Sequence, residues 1–207
     1  LDLLFVYRIR GSSAAGQYSI ALTIGMLVGT IPLALAYASF PRLANLDEVS
    51  ARALTARVFR LGMMVVVMTA AALAVSTPFG VPLLFGSAYE GAVAPSLVLI
   101  AGGVLWSAQW LLARASAARG SPAALCASFA TSAAVMLGLD LVLIEPYGGM
   151  GAAMAAVAGA AAGAALAAQF YRGKGWHWRE FLPGRGDLGS LLGMGSDLLT
   201  SVRRTSP

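Results

Sequence analysis

The chain has 207 residues, of which 58% are hydrophobic and only 11% are charged. In a soluble globular domain, roughly a quarter of the residues are charged. This composition therefore excludes an ordinary soluble protein and indicates an integral membrane protein. The net charge is +5, but the basic residues do not form a patch interleaved with aromatic residues, so nucleic acid is not expected as a partner.

The chain opens with LDLLFVYRIR, an apolar run that is cut off after its start. It has no initiator Met and lacks the successive regions of a signal peptide. We interpret residues 1–10 as the end of a truncated transmembrane helix. The chain is therefore expected to be the carboxyl-terminal part of a longer protein.

Five apolar stretches follow, each close to the roughly 20 residues that a helix needs to cross a bilayer. They cover about residues 18–39, 61–85, 92–113, 122–144 and 150–170. The last stretch is rich in Ala and Gly and is weaker by hydropathy. The sequence therefore predicts an all-α integral membrane protein in which residues 11–170 form a five-span polytopic helical bundle.

An amphipathic segment, residues 42–58, separates the first two stretches. Asn45 is its expected N-cap, with Glu48 three residues further on, and apolar residues recur roughly on one side. This combination is typical of a capping box followed by an interfacial helix. We expect a short helix lying on the cytoplasmic membrane surface.

Two other connections are predicted to be tight turns. At one of them, Gly120 ends a helix, Ser121 is the expected N-cap and Pro122 takes the first helical position. At the other, Pro146 is expected to end a helix, and Gly148 with its neighbouring glycines allows the backbone to reverse.

Glycines also recur at GxxxG spacing inside two stretches. Gly25 and Gly29 lie in the first, and Gly159 and Gly163 lie in the last. Small residues at this spacing let membrane helices approach each other closely. We expect both glycine pairs to be buried in the bundle.

The distribution of Lys and Arg predicts an orientation. Basic residues precede the second stretch and follow the third and fifth, whereas the connections around Ser87 and Tyr147 contain none. Because cytoplasmic loops are enriched in Lys and Arg, those two connections are expected outside. Residues 171–207 are expected to form a basic cytoplasmic tail.

Several weak motifs occur in a characteristic order. The first 21 residues combine an acidic residue, an apolar run and Gly-x-Tyr-x-x-Ala; later come FPRLA at 40–44, PLLFG at 82–86 and LIEPYGGMGAA at 143–153. In this order the motifs resemble those of Wzx-type polysaccharide flippases of the MOP exporter superfamily. The resemblance covers about residues 1–170.

The resemblance implies the second lobe of a MATE-like two-lobe transporter. Such a transporter flips an oligosaccharide linked to undecaprenyl diphosphate across the bacterial cytoplasmic (inner) membrane, for cell-surface polysaccharide biosynthesis. The implied partners are this lipid-linked saccharide, membrane lipids, the missing amino-terminal lobe and polysaccharide-assembly enzymes.

Two other hypotheses stay open. A MATE-type antiporter for drugs or other cations would favour acidic groups in its cavity, and a membrane scaffold could keep the same fold without transport. No enzyme is expected, since the sequence contains no phosphate-binding loop, nucleophile elbow or zinc-ligand spacing. Neither a cofactor nor a metal site is predicted.

Arg8 and Arg10 are the candidate substrate-binding residues. Both lie at the predicted outer side, and a planar guanidinium donates parallel hydrogen bonds to phosphate oxygens. The alternative is that both arginines extend to lipid head groups.

Asp2 and Asp140 are the candidate ion-coupling residues, because ionisable groups at membrane depth are costly and commonly functional. For Asp140 the alternative is that its side chain extends to the membrane surface beside Glu145.

Overall fold

The computed structural model describes residues 2–172, apart from the side chains of residues 31–33, 35–36, 38–44 and 172. This part of the chain is almost entirely helical and contains no strand. Its helices are α1 (Asp2–Ala44), α2 (Glu48–Phe85), α3 (Val93–Ala118), α4 (Pro122–Tyr147) and α5 (Gly149–Arg172), and a 3₁₀ helix over Ser87–Ala92 joins α2 to α3. The predicted all-α class is confirmed.

Four helical segments are long and apolar enough to cross a membrane. They are Glu48–Phe85, Ser87–Ala118, Pro122–Tyr147 and Gly149–Tyr171. These segments support the predicted multi-pass membrane protein. The first predicted span, residues 18–39, lies within α1, whose side chains are described only in part, so the fifth crossing stays a prediction. Nearly all of the predicted tail, residues 171–207, lies outside the described residues.

The chain reverses direction near the start of α1. Gly11 has φ 85° and ψ −179°, which interrupts the helix, and the Tyr18 hydroxyl donates a hydrogen bond of 2.8 Å to the Asp2 carboxylate, 16 residues away. A continuous helix would place these residues about 24 Å apart. Residues 2–10 therefore form a short helical arm that folds back along α1, with Val6 fully buried.

The GxxxG prediction for α1 is confirmed. Gly25 and Gly29 are buried where α1 crosses α3. A Cβ on Gly25 would lie 2.8 Å from the Leu99 Cβ, and one on Gly29 would lie 2.5 Å from the Trp106 ring. Only glycine permits this approach, so the two positions fix how closely α1 and α3 pack.

The second glycine pair brings α5 against α3 and α4. A Cβ on Gly159 would lie 2.6 Å from the Ser132 carbonyl oxygen of α4, and one on Gly163 would overlap the Gln109 amide of α3. Gln109 Nε2 donates to the Ser128 hydroxyl at 3.1 Å, and that hydroxyl donates to the Gly163 carbonyl at 2.9 Å. This buried polar chain ties the three helices together, as interhelical hydrogen bonds commonly do in membranes.

The amphipathic segment differs from the prediction. It is not a separate surface helix, because α2 runs without interruption from Glu48 to Phe85. The N-cap is Asp47 and not Asn45: the Asp47 carboxylate accepts hydrogen bonds from the backbone N–H groups of Val49 and Ser50. Hydrogen bonds from Ser50 hold the pKa of Asp47 below its usual value. The helix that Asp47 caps continues into the second predicted span, because no Gly or Pro lies between Asp47 and Gly62.

Both predicted tight turns occur, with corrections at single residues. Pro122 begins α4 as expected, but the Ser121 side chain makes no capping hydrogen bond. Pro146 does not end α4, which continues to Tyr147; the chain reverses at Gly148, with φ 57°. Pro146 lacks the N–H that would donate to the Val142 carbonyl, and only Tyr147 follows it in α4, so the helix loses a single hydrogen bond next to its end.

The turns lie at two opposite ends of the bundle. The Gly148 end contains Gly11, the 3₁₀ helix and Gly148, and Arg10 donates there to the Pro146 carbonyl oxygen at 2.7 Å. The Gly120 end contains residues 45–47 and 119–121, where Arg119 lies 3.8 Å from Glu48. The charge pattern predicts that the Gly148 end faces outside.

Cysteine labelling tests this orientation. Cys126 is exposed and would first be replaced by Ala. Single cysteines at Ser87 and Tyr147, both exposed at the Gly148 end, should then react with an impermeant thiol reagent added to intact cells. A cysteine at Leu46, exposed at the Gly120 end, should react only after the membrane is permeabilised. The reverse pattern would invert the orientation.

Candidate functional site

A cavity of about 420 Å³ opens at the Gly148 end. It lies between the arm, the first turns of α1 that follow Gly11, the start of α3 and the turn from α4 to α5. Its polar side chains come from Arg10, Gln17, Tyr18 and Tyr147. The remaining lining is small and apolar, which is typical of a ligand pocket with a few polar groups.

Arg10 provides the positive charge of this cavity. Its Nη2 donates to the Pro146 carbonyl oxygen at 2.7 Å, and that carbonyl belongs to the last turn of α4, where helical acceptors are otherwise unused. This bond holds the guanidinium at the turn. Because a guanidinium carries several N–H donors, one such bond leaves others for an anion in the cavity.

Arg8, the other candidate substrate residue, is not brought to the cavity. It lies on an exposed part of the same arm, and it is not among the lining residues that the structure describes. Two residues along a helix point in different directions, which separates Arg8 from Arg10. The structure therefore distinguishes the two arginines, although the sequence does not.

Gln17 closes one side of the cavity. Its Nε2 donates to the Ala88 carbonyl oxygen at 3.2 Å, which joins α1 to the 3₁₀ helix. A Cβ on Gly91 would overlap the end of the Gln17 side chain, so the two residues are in close contact. The 3₁₀ helix thereby forms part of the cavity wall.

Asp140 lies in the interior of α4, beside this region. Its side chain is 0% exposed, and neither carboxylate oxygen has a hydrogen-bond partner among the described residues. A side chain extended to the membrane surface would be exposed, so that interpretation of Asp140 does not fit. A buried carboxylate without a partner is costly and is a candidate for binding a proton or a cation.

Asp2 and Asp140 are brought near each other, although Asp2 starts α1 and Asp140 lies in α4. The two carboxylates interact electrostatically. The folded-back arm explains this proximity, because it returns Asp2 towards the interior of the bundle. The two predicted ion-coupling residues thus share one region.

Tyr18 connects the carboxylates to the cavity. Its side chain is 1% exposed in the bundle and borders the cavity, while its hydroxyl donates to Asp2 at 2.8 Å. Both Asp2 and Asp140 act on it electrostatically. Tyr18 is not among the predicted site residues. The signal that could have found it is its position at the start of an apolar stretch, where its hydroxyl is a polar group inside the bundle.

The described residues contain no group of three or more His, Cys, Asp or Glu side chains suited to a metal ion. The candidate site consists of four residues that the contacts above connect, namely Arg10, Tyr18, Asp2 and Asp140. It combines a guanidinium that can bind an anion with a carboxylate pair that can exchange a proton or a monovalent cation.

Comparisons of the chain with protein-family models, with curated protein sequences and with solved structures found no match.

Proposed function

We propose that the chain is the second lobe of a membrane transporter that flips an oligosaccharide linked to undecaprenyl diphosphate across the bacterial cytoplasmic membrane. One observation carries this proposal. Tyr18 borders the cavity that contains Arg10, and its hydroxyl donates to Asp2, whose carboxylate interacts electrostatically with the buried Asp140. A group that binds anions and a group that binds cations are thus joined by one side chain, which is what coupled transport of an anionic substrate requires.

The cavity suits a diphosphate head group. Arg10 is held at the turn by the Pro146 carbonyl, so its planar fork is oriented before a ligand arrives. Guanidinium–phosphate hydrogen bonds are charge-assisted and are stronger than neutral ones. Tyr147 and Gln17 add polar groups that can contact a sugar.

The outer surface of the arm suits the lipid part of such a substrate. Leu4 and Tyr7 are more than half exposed and lie on the same arm as Arg10. An isoprenoid chain can therefore remain in the bilayer beside the arm while its head group occupies the cavity. Apolar side chains facing lipid cost nothing in the membrane interior.

The carboxylate pair provides the coupling. When a proton or a monovalent cation binds at Asp140, the charge of the region changes by one unit beside Tyr18 and the cavity. A ligand shifts a conformational equilibrium only through a difference in affinity for the two states. Binding at a buried carboxylate that becomes accessible in one state supplies such a difference.

The same carboxylate pair favours a second candidate, a MATE-type exporter of cationic compounds. In that case Asp2 and Asp140 would hold the substrate itself. Arg10 opposes this candidate, because a guanidinium at the cavity repels a cation.

Substitution of Arg10 by Lys tests the proposed function in the longer transporter. Lys keeps the charge but loses the planar fork, so flipping of a lipid-linked saccharide should fall by about tenfold, which corresponds to one lost charge-assisted hydrogen bond. Arg8→Lys, two residues away on the same arm, is the matched control and should keep most of the activity. Both variants should insert into the membrane normally.

Wild-type flipping by Arg10→Lys and by the double variant with Arg8→Ala and Arg10→Ala would remove Arg10 from the site. Export of a cationic dye by a protein that does not flip the saccharide would favour the second candidate.

A further inference from the structure

A second arginine, Arg114, lies between Tyr37 of α1 and Trp110 of α3 at the Gly120 end, the opposite end from Arg10. These three residues are named the Arg114 groove. The Arg114 guanidinium carbon lies 3.9 Å from the centroid of the Tyr37 ring and 4.7 Å from that of the Trp110 ring. Its Nη2 donates to the Tyr37 hydroxyl at 2.8 Å. The cation is thus clamped by two aromatic rings from neighbouring helices.

The clamp is rigid on its α3 side. Trp110 makes edge contacts with Trp106 and Phe129, with ring centroids 5.5 Å and 4.8 Å apart. Such aromatic contacts orient each ring against the next. The guanidinium plane is therefore set by the fold, whereas a surface arginine usually samples many conformations.

Among the described residues, no carboxylate balances the charge of Arg114. Its neighbour at the same end, Arg119, pairs with Glu48 at 3.8 Å, but Arg114 forms no ion pair with a described residue. Its Nε and the Trp110 Nε1 are two buried N–H donors that lack an acceptor within the described part of the chain. A cation with spare donors beside it has the chemistry of an anion site.

The groove can be reached from outside the bundle. Tyr37 is 52% exposed, and Arg114 is partly exposed. From Tyr37 towards the Gly148 end, α1 exposes a row of residues at helical spacing, namely Ala34, Thr30, Leu27 and Thr23. This exposed face of α1 joins the surroundings of Arg114 to the end that carries the Arg10 cavity.

We propose that the Arg114 groove binds the diphosphate head group of an isoprenoid lipid at the Gly120 end, before the head group moves along α1 towards Arg10. The identity of the lipid rests on the proposed function. The recognition chemistry rests on the geometry alone. A planar guanidinium that is clamped between two rings, with no counter-charge among the described residues, is suited to phosphate oxygens. A diphosphate offers more charge and more acceptors than a phosphodiester, so a guanidinium binds it more strongly.

Binding of farnesyl diphosphate to the purified chain in phosphatidylcholine nanodiscs tests the groove. An Arg10→Ala background removes the cationic group of the cavity at the other end, so that the remaining binding reports on Arg114. In this background Arg114→Lys should weaken binding by about tenfold, because the planar fork is lost. Arg57→Lys is the matched control: Arg57 is exposed on α2 towards the same end, and its replacement should change nothing.

Competition by two other anions identifies the ligand. Phosphatidylglycerol and inorganic diphosphate should each compete about tenfold more weakly than farnesyl diphosphate. Tyr37→Phe keeps the ring but removes the hydroxyl that accepts from Arg114, and because the guanidinium is then less well oriented, affinity should fall about threefold. This second variant keeps the test valid if Arg114→Lys does not fold, which helical circular dichroism would reveal.

Equal affinity with Arg114 and with Lys at this position would overturn the proposal. Equal competition by phosphatidylglycerol would also overturn it, since the groove would then bind any anionic lipid. Arg114-dependent binding by a longer protein that does not flip the lipid would support the groove and overturn the proposed function.

Discussion

Replacement of Gly151 by Ala should destabilise the bundle by about 2–3 kcal/mol, the upper part of the range for an overpacked core. A Cβ at this position would overlap the backbone of α4 at Leu143 and Ile144. Because the obstacle is main chain and not a flexible side chain, no change of rotamer relieves it. The hairpin of α4 and α5 would have to open, and with it the turn that holds Arg10.

Thermal unfolding of the detergent-solubilised chain, followed by circular dichroism, measures this effect. Gly138→Ala is the matched control, since Gly138 is a helical glycine of α4 with open space around it. That substitution should be neutral or stabilise by up to about 1 kcal/mol, because Ala favours helix. If the Gly151→Ala protein unfolded at the same temperature as the wild type, α4 and α5 would have to be farther apart at this position.

Replacement of Asp140 by Leu should stabilise the bundle, although it removes a candidate functional group. Asp140 is fully buried, and its oxygens have no hydrogen-bond partner among the described residues. An unsatisfied buried polar group costs about 1–3 kcal/mol, and Leu removes this cost. Stability sacrificed at one residue is expected where the residue serves function.

The same unfolding measurement applies, with Glu145→Gln as control. Glu145 is exposed on the same helix, so its replacement should leave stability within about 0.5 kcal/mol of the wild type. Destabilisation by Asp140→Leu would indicate a structural partner for Asp140 and would remove its role in coupling.

Hydropathy and turn residues predict most of the helical framework, because both are local properties. The glycines at 120 and 148 mark the reversals correctly, and the glycine pairs mark the helix crossings. Local signals fail where two of them compete. Asn45 and Asp47 are both good caps, and the sequence does not show that Asp47 starts a helix long enough to include the second span.

The site is harder to predict because it depends on contacts between distant parts of the chain. The sequence selects Asp2, Arg10 and Asp140 by their charge at membrane depth. It does not show that the chain folds back at Gly11, since the sequence does not indicate which glycine adopts a positive φ. Without that reversal, nothing places Asp2 beside Tyr18 or separates the environments of Arg8 and Arg10.

Flipping by the proposed longer transporter in proteoliposomes, under an imposed proton or sodium gradient, tests the central claim most directly. The substrate would be a fluorescent lipid diphosphate saccharide, measured by its accessibility in each leaflet. We expect gradient-dependent flipping by the wild type, and for Asp140→Asn we expect flipping that no longer responds to the gradient. Gradient-dependent flipping that persists unchanged in Asp140→Asn, or no flipping of the anionic lipid by the wild type, would contradict the account.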